Sequence, residues 1–252
     1  MISSIIKPGN KMKNLIFTLL IFYCFQTQAQ TLKDCSTCST QIISSEQIKD
    51  LSIDEIRFLT NDLFARKGYK FSNSEIDWYY SEKSWYKPIT DNSKMVYNST
   101  EKQNIKLFQD KTTELKLDRE KLINELKNFK SAVLSNNRTL LSDKFSFSSN
   151  NYEDNKDILK YISESLQKVN IDDINWTKHK GIYKVTVDNG DFVMVYEISI
   201  DKNKVAIRYA NQGGSEFGEL LYPTDMITEF AYFWNFEWKN NQLKFVQLIV
   251  AG

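Results

Sequence analysis

The run Asn61-Asp62-Leu63-Phe64-Ala65-Arg66-Lys67-Gly68-Tyr69-Lys70-Phe71, followed by Trp85-Tyr86-Lys87-Pro88, decides how the N-terminal part of the chain folds. Gly68 reads as a helix stop, because glycine takes the left-handed conformation that other residues avoid. Counted back from it, Phe64 and Tyr69 fall where a Schellman cap places its hydrophobic contact. Arg66 and Lys67 suit the negative end of the helix dipole. The start of the same helix is legible upstream. Ser52-Ile53-Asp54-Glu55 has capping-box spacing, and Leu51 and Ile56 stand at the two positions of a hydrophobic staple. Ile56, Leu59 and Leu63 then recur at helical spacing.

Outward from this helix, Ser72 to Glu75 repeats the capping-box spacing and predicts a short second helix through Asp77-Trp78-Tyr79-Tyr80. Lys87 precedes Pro88 and is expected to be extended. Asn98-Ser99 caps a further helix with Asn104, Ile105 and Phe108. Thr112 to Asn136 reads as a separate amphipathic helix carrying Leu115, Leu122, Leu126, Phe129 and Val133. These signals divide the chain into a helical domain at 51–110 and a second domain at 111–252, entered by the helix at about 112–136.

The second domain changes period. Ile158, Ile162, Leu166 and Val169 mark a helix. Ile182 to Asp188 and Asp191 to Ile200 then flank Asn189-Gly190, a strong hairpin signal. Asp201 to Lys204 turns into a strand from Val205 to Asn211. Asn211 to Pro223 reads as a loop, and Ile227 to Trp238 and Gln242 to Val250 pair across Asn240-Asn241. Phe192, Met194, Tyr196, Ile198 and Ile200 share one face, as do Phe230, Tyr232, Trp234, Phe236 and Trp238. The expected class is α+β: a small all-α domain, then helices packed on a curved antiparallel sheet.

The blocks quoted at the outset resemble the YARHG domain, over about residues 45–110. That family is a small bacterial module found on exported proteins and named after a Tyr-Ala-Arg-His-Gly run. Its motif falls here on Asn61, Phe64, Ala65, Arg66, Lys67, Gly68, Tyr69, Trp85, Tyr86 and Pro88. Phe64 stands where the family has tyrosine and Lys67 where it has histidine, so proton shuttling by that histidine is excluded in this chain. The resemblance implies export and a helical module, and carries no activity with it. The C-terminal half loosely resembles the cone of the nuclear-transport-factor-2-like fold.

Export is also read from the N-terminus. Lys11 and Lys13 precede an apolar run from Leu15 to Phe25, and Thr27-Gln28-Ala29 offers small residues at cleavage spacing. The expectation is a signal peptide at 1–29, with Met12 as an alternative start and cleavage before Gln30. Phe22-Tyr23-Cys24 departs from the lipoprotein pattern. The apolar run is short for a bilayer, so no membrane span is expected after cleavage, and the protein is placed in the periplasm or outside the cell. Residues 30–50 read as a polar leader held by Cys35-Ser36-Thr37-Cys38. That pair could be a redox site, half a metal site or a local disulfide. No βαβ setting surrounds it, and zinc asks for about four ligands where the chain has one histidine. A local disulfide in an oxidising compartment is the simplest reading.

The chain has 252 residues, 41% hydrophobic and 26% charged, enough to build cores. Its 33 basic and 32 acidic residues leave no excess to neutralise phosphates, so nucleic acid is not an expected partner. There is no G-x-S-x-G, P-loop or dinucleotide fingerprint. No catalytic residue, metal or cofactor is assigned. His179 lies in a polar segment and reads as a surface residue. Glu197 points away from Tyr196, so strand alternation keeps it out of a cone interior. Trp78, Tyr79, Tyr80, Trp85 and Tyr86 are expected to serve mainly as core, with one of them exposed. Arg66, Tyr80, Trp85 and Tyr86 are the candidate binding residues, although pairing of Arg66 with an acid or a carbonyl of its own domain is the favoured reading over an anionic ligand. The expected role is non-catalytic binding or scaffolding in the cell envelope, toward wall glycan or another envelope protein. The alternative is a small-molecule or enzymatic pocket under the C-terminal sheet.

Overall fold

The computed structural model describes residues 30–148, 156–190, 192–213 and 229–252. The signal segment, Asp191 and the loop expected between Asn211 and Pro223, apart from its first three residues, lie outside the described residues. The elements are α1 (Ser45–Ile48), α2 (Ile53–Arg66), α3 (Ser74–Ser81), α4 (Ser99–Leu134), α5 (Arg138–Phe145) and α6 (Lys156–Lys168). The strands are β1 (Asn175–Thr177), β2 (Lys180–Asp188), β3 (Phe192–Asp201), β4 (Lys204–Gly213), β5 (Phe230–Lys239) and β6 (Gln242–Ala251). The strands form one antiparallel sheet in chain order from β1 to β6. Helices in the N-terminal part and a meander in the C-terminal part make the fold α+β, as expected.

The local signals at α2 hold. The Ser52 hydroxyl accepts from the Glu55 amide, and the Glu55 carboxylate accepts from the Ser52 amide at 2.9 Å. Leu51 and Ile56 are both buried in one cluster. At α3 the cap lies one residue later than expected: the Asn73 side chain, not that of Ser72, accepts from Glu75 and Ile76. Asparagine is at least as good a cap as serine, so the two candidates compete at neighbouring positions.

Two expectations are overturned. The helices assigned at Ser99 and at 112–136 are one continuous helix of 36 residues. Neither glycine nor proline occurs between Ser99 and Leu134 to stop it, and it is about 54 Å long. A boundary at 110 therefore falls inside α4. Phe108 belongs to the N-terminal core, while Leu122, Leu126 and Phe129 belong to the C-terminal one. The supposed leader is also structural. Cys35, Cys38, Ile43 and Ile48 are buried with Leu51, Leu59, Leu63 and Phe108. β1, α1 and α5 had no counterpart in the sequence reading.

The C-terminal core lies between the sheet and α4, α5 and α6. Tyr196, Ile198, Ile200, Ile207, Trp234 and Phe236 face Phe129, Phe145, Ile162 and Leu166. The alternation in β3 and β5 is as read. The last hairpin turns through Asn240 and Asn241, both with positive φ, the geometry of a type I′ turn. β6 bulges at Val246, since Asn235 pairs with Gln247 and Phe236 with Phe245. A bulge bends a strand and increases its twist.

Candidate functional site

The residues at the end of α2 tie the helical region together. The Tyr69 amide donates to the Phe64 carbonyl at 3.0 Å and the Gly68 amide to that of Ala65 at 2.9 Å, a Schellman motif. The Phe64 and Tyr69 rings pack in a tilted pair with centroids 5.8 Å apart, and Phe64 also meets Tyr97. Gly68 has φ +86°, and a Cβ there would sit 2.6 Å from the Lys87 carbonyl oxygen, so glycine is required twice over. Lys67 reaches the buried Glu101 carboxylate at 3.3 Å. The other oxygen of Glu101 accepts from the Asn98 amide and caps α4. The lysine that replaces the family histidine therefore joins the end of α2 to the start of α4. Ala65 is buried, Asn61 half-buried on α2, and Pro88 exposed.

Arg66 faces outward at the end of α2. Its Nε donates to Asp62 at 3.0 Å, and the same oxygen accepts from the Cys35 amide. The guanidinium lies 4.4 Å from the ring centre of Trp85, a cation–π contact. The expected pairing with an acid of its own domain is present, and it leaves one guanidinium face over an exposed indole. Cys35 and Cys38 are disulfide-bonded, as expected.

The aromatic cluster divides differently from the expectation of one exposed ring. Trp78 is 67% exposed, Tyr79 40% and Trp85 38%. Tyr80 and Tyr86 are buried and cannot meet a ligand, so these two candidate binding residues are withdrawn. A short helix followed by a turn has two sides, and only one of them can face the core. Tyr80 stacks on Phe71, and burial raises its pKa. The Tyr86 hydroxyl donates to the Tyr69 carbonyl at 2.8 Å, and burial raises its pKa as well. Together they support the outer face from below. Lys83 lies over Tyr79, and Phe58 packs edge-on against Tyr79. Three aromatics of this small module are thus partly exposed, with the Arg66 guanidinium over the Trp85 ring and the Lys83 ammonium over the Tyr79 ring.

His179 is not a free surface residue. Its Nε2 is 2.9 Å from the Asp50 carbonyl and 3.8 Å from Glu55, while the Lys178 amide donates to Asp54 at 2.9 Å. The turn between β1 and β2 is thereby docked on the N-terminus of α2. Nearby, Arg119 of α4 covers Trp176, and Trp238 donates to Asp118. Nothing in the local sequence pairs residues so far apart.

Under the sheet, the space is filled by aromatic side chains. Tyr161 stacks on Tyr209 at 4.4 Å and on Tyr232 at 5.1 Å, and the Tyr196 hydroxyl donates to Glu164 at 2.7 Å. Burial, with the Glu164 charge second, pushes the Tyr209 pKa up to about 12. Strand pairing makes Tyr196, Tyr209 and Tyr232 one row, a grouping that needs the register as well as the alternation. Among the described residues these rings pack on one another rather than line a cavity. A cleft of about 780 Å³ lies instead on the opposite sheet face. Ile182, Ser199, Ala206, Asn235 and Gln247 form one cross-strand row along it, with Val246 and Ile249 beside them. Ile182 of β2 and Ile249 of β6 are four strand spacings apart, about 19 Å in a flat sheet, yet line the same cleft, so this face is concave.

Residues 35–112 match the YARHG domain. The match begins at the first disulfide cysteine, consistent with the packing of 35–50 into the N-terminal core. No curated protein and no solved structure matches the chain, so the loose likeness of the C-terminal half to a nuclear-transport-factor-2-like cone gains no support.

Proposed function

We propose that this protein is exported and acts, without catalysis, as a wall-glycan-binding component of the cell envelope. Its contact surface is the face built by Trp78, Tyr79, Trp85, Arg66 and Lys83. The observation that carries this reading is the exposure of three aromatics on one small module, with cations fixed over two of them. Exposed planar rings accept the apolar faces of pyranose sugars, while neighbouring charged donors bind hydroxyls and the carboxylates of wall glycan. The YARHG match and the signal-like N-terminus support an exported location. No helix among the described residues is long and apolar enough to cross a membrane. The test is retention of the chain beginning at Gln30 on insoluble wall glycan. Wild type should be retained, and Trp78→Ala together with Trp85→Ala should reduce retention about tenfold or more. A wild-type protein that washes through would end this reading.

A second reading is favoured by the concave cleft. Its volume falls in the range of small-molecule sites, and aliphatic walls from Ile182 and Ile249 flank a floor of Ser199, Ala206 and Asn235. This reading keeps a pocket in the C-terminal region but moves it to the sheet face turned away from the helices. An Ala206→Trp variant would fill the cleft. Loss of a ligand found by native mass spectrometry of the purified protein, with glycan retention unchanged, would distinguish the two readings.

A further inference from the structure

We infer that the concave cleft takes a zwitterion, an α-amino acid with a large apolar side chain, whose two charges are met by Arg208 and Glu197. The inference rests on the second reading above and adds the ligand's chemistry to it. Arg208 follows Ala206 by two residues on β4, so it lies on the same face, about 7 Å from the floor of the cleft. Glu197 of β3 stands opposite Arg208 in the register, and Phe233 of β5 stands opposite it on the other side. Ile249 of β6 pairs with Phe233 and also lines the cleft. The row of Glu197, Arg208, Phe233 and Ile249 therefore bounds the cleft at the end away from Lys204.

Opposite charges at directly paired strand positions are placed to meet. These two do not. The guanidinium leans toward the other strand and lies over the Phe233 ring, 5.5 Å from its centre. Among the described residues neither Arg208 nor Glu197 has an ion pair or a side-chain hydrogen bond. An exposed charge without a partner stays hydrated, as Lys184 and Lys204 on this face do. Arg208 differs. It is half-buried, and its Nε is buried with no acceptor among the described residues. Of its nitrogens only Nε is in that position, so the terminal pair opens to solvent. A guanidinium sunk this far has lost part of its hydration and gains more from a counter-charge than a surface one does. The charge pattern selects the occupant. A plain anion on Arg208 would sit beside the Glu197 carboxylate, and a plain cation on Glu197 beside the guanidinium. An α-amino acid carries both signs on one carbon and answers both. Its carboxylate takes the fork of Arg208 and its ammonium takes Glu197. Its side chain then has the cleft before it, with aliphatic walls from Ile182, Val246 and Ile249. Other charges of the lining are already engaged, Lys180 with Asp201 at 3.8 Å and Glu237 with Asn203 at 3.0 Å.

The test is calorimetric titration of the chain from Gln30 with three probes. These are free phenylalanine, its N-acetyl derivative, which lacks the ammonium, and its amide, which lacks the carboxylate. Free phenylalanine should bind, and each derivative should bind about tenfold or more weakly. Arg208→Gln should weaken phenylalanine by a similar factor and leave the amide unchanged. Glu197→Gln should weaken phenylalanine and should not weaken the N-acetyl derivative. A merely structural role for either residue does not produce this crossed pattern. A wild type that binds none of the three probes at millimolar concentration overturns the inference. So does binding that is equal for all three probes, or that both variants leave intact. The cleft reading is judged separately, by whether Ala206→Trp removes a ligand seen in native mass spectrometry.

Discussion

Around α2, the buried polar side chains of Ser52, Asp62, Glu101 and Asn104 all accept from backbone amides, at helix caps or from segments that pass them, whereas around the sheet the strands bond to one another and buried Ser165 is the counterpart. The difference follows from how backbone groups are satisfied. A meander pairs its own amides and carbonyls, so its interior can be apolar. Short helices joined by irregular segments leave backbone groups over, and buried side chains must serve them. The N-terminal region is therefore specified by a few polar anchors, and the C-terminal region by rows of packed rings. Substitutions that remove a polar group should cost much in the first and little in the second.

The largest expected effect is at Asn104. Its carbonyl oxygen accepts from the Ile43 amide, and its amide donates to the Cys38 and Gln41 carbonyls. Asn104→Ala strands three backbone groups in a buried site and should destabilise the N-terminal region by about 4 kcal/mol in urea denaturation. A cost under about 1 kcal/mol would show that water or rearranged backbone replaces the side chain, and the contrast between regions would collapse.

The disulfide should matter less than the amide beside it. It closes a loop across a sequence separation of 3, so it removes little freedom from the unfolded chain. Replacing Cys35 and Cys38 together by serine should cost about 2 kcal/mol, read as a fall in melting temperature under non-reducing conditions. A loss equal to that of Asn104→Ala would mean that the bond, rather than Asn104 and Asp62, holds residues 35–43 in place.

On the sheet side, Trp234 is fully buried and its indole N–H has no hydrogen-bond partner among the described residues. Trp234→Phe removes that unsatisfied donor while leaving a modest void. The two effects oppose, and the net cost should be about 1 kcal/mol or less, read from the same urea titration. A cost near that of Asn104→Ala would put both regions under the same rule.

The same contrast explains what was legible in the sequence. The box at Ser52 and the glycine stop at Gly68 were readable because both are complete within a few neighbouring residues. The β3 and β5 faces were readable because period two survives along a strand even beside the bulge in β6. Residues 35–43 were read as a leader because their order comes from Asp62 and Asn104, 27 to 66 positions away, and leaves no periodicity. α4 was cut in two because its apolar residues serve two cores in succession, Phe108 in one and Leu122 onward in the other. Of the candidate face, the cluster Trp78 to Tyr86 was visible. Which rings point outward depends on Phe71 and Phe58, and that sorting is tertiary.

The smallest effect tests the seam between the regions. Glu55 caps α2 and also faces Lys178 and His179 on the turn between β1 and β2. Its pKa is lowered, first by the hydrogen bond from the Ser52 amide, then by the Ser52 hydroxyl, with Lys178 contributing less. A carboxylate whose folded pKa is depressed stabilises the fold above its unfolded value, about 4.3, and loses that contribution as pH falls through the folded value. Glu55→Gln can still accept from Ser52 but carries no charge. Wild type should therefore exceed the variant by about 0.5 kcal/mol at neutral pH, a gap that closes as the carboxylate titrates in acid. Urea midpoints at pH 7 and at pH 3 measure it. A gap that persists unchanged at pH 3 would place the difference in packing rather than in charge, and the seam would then follow the rule of the sheet rather than that of the helices.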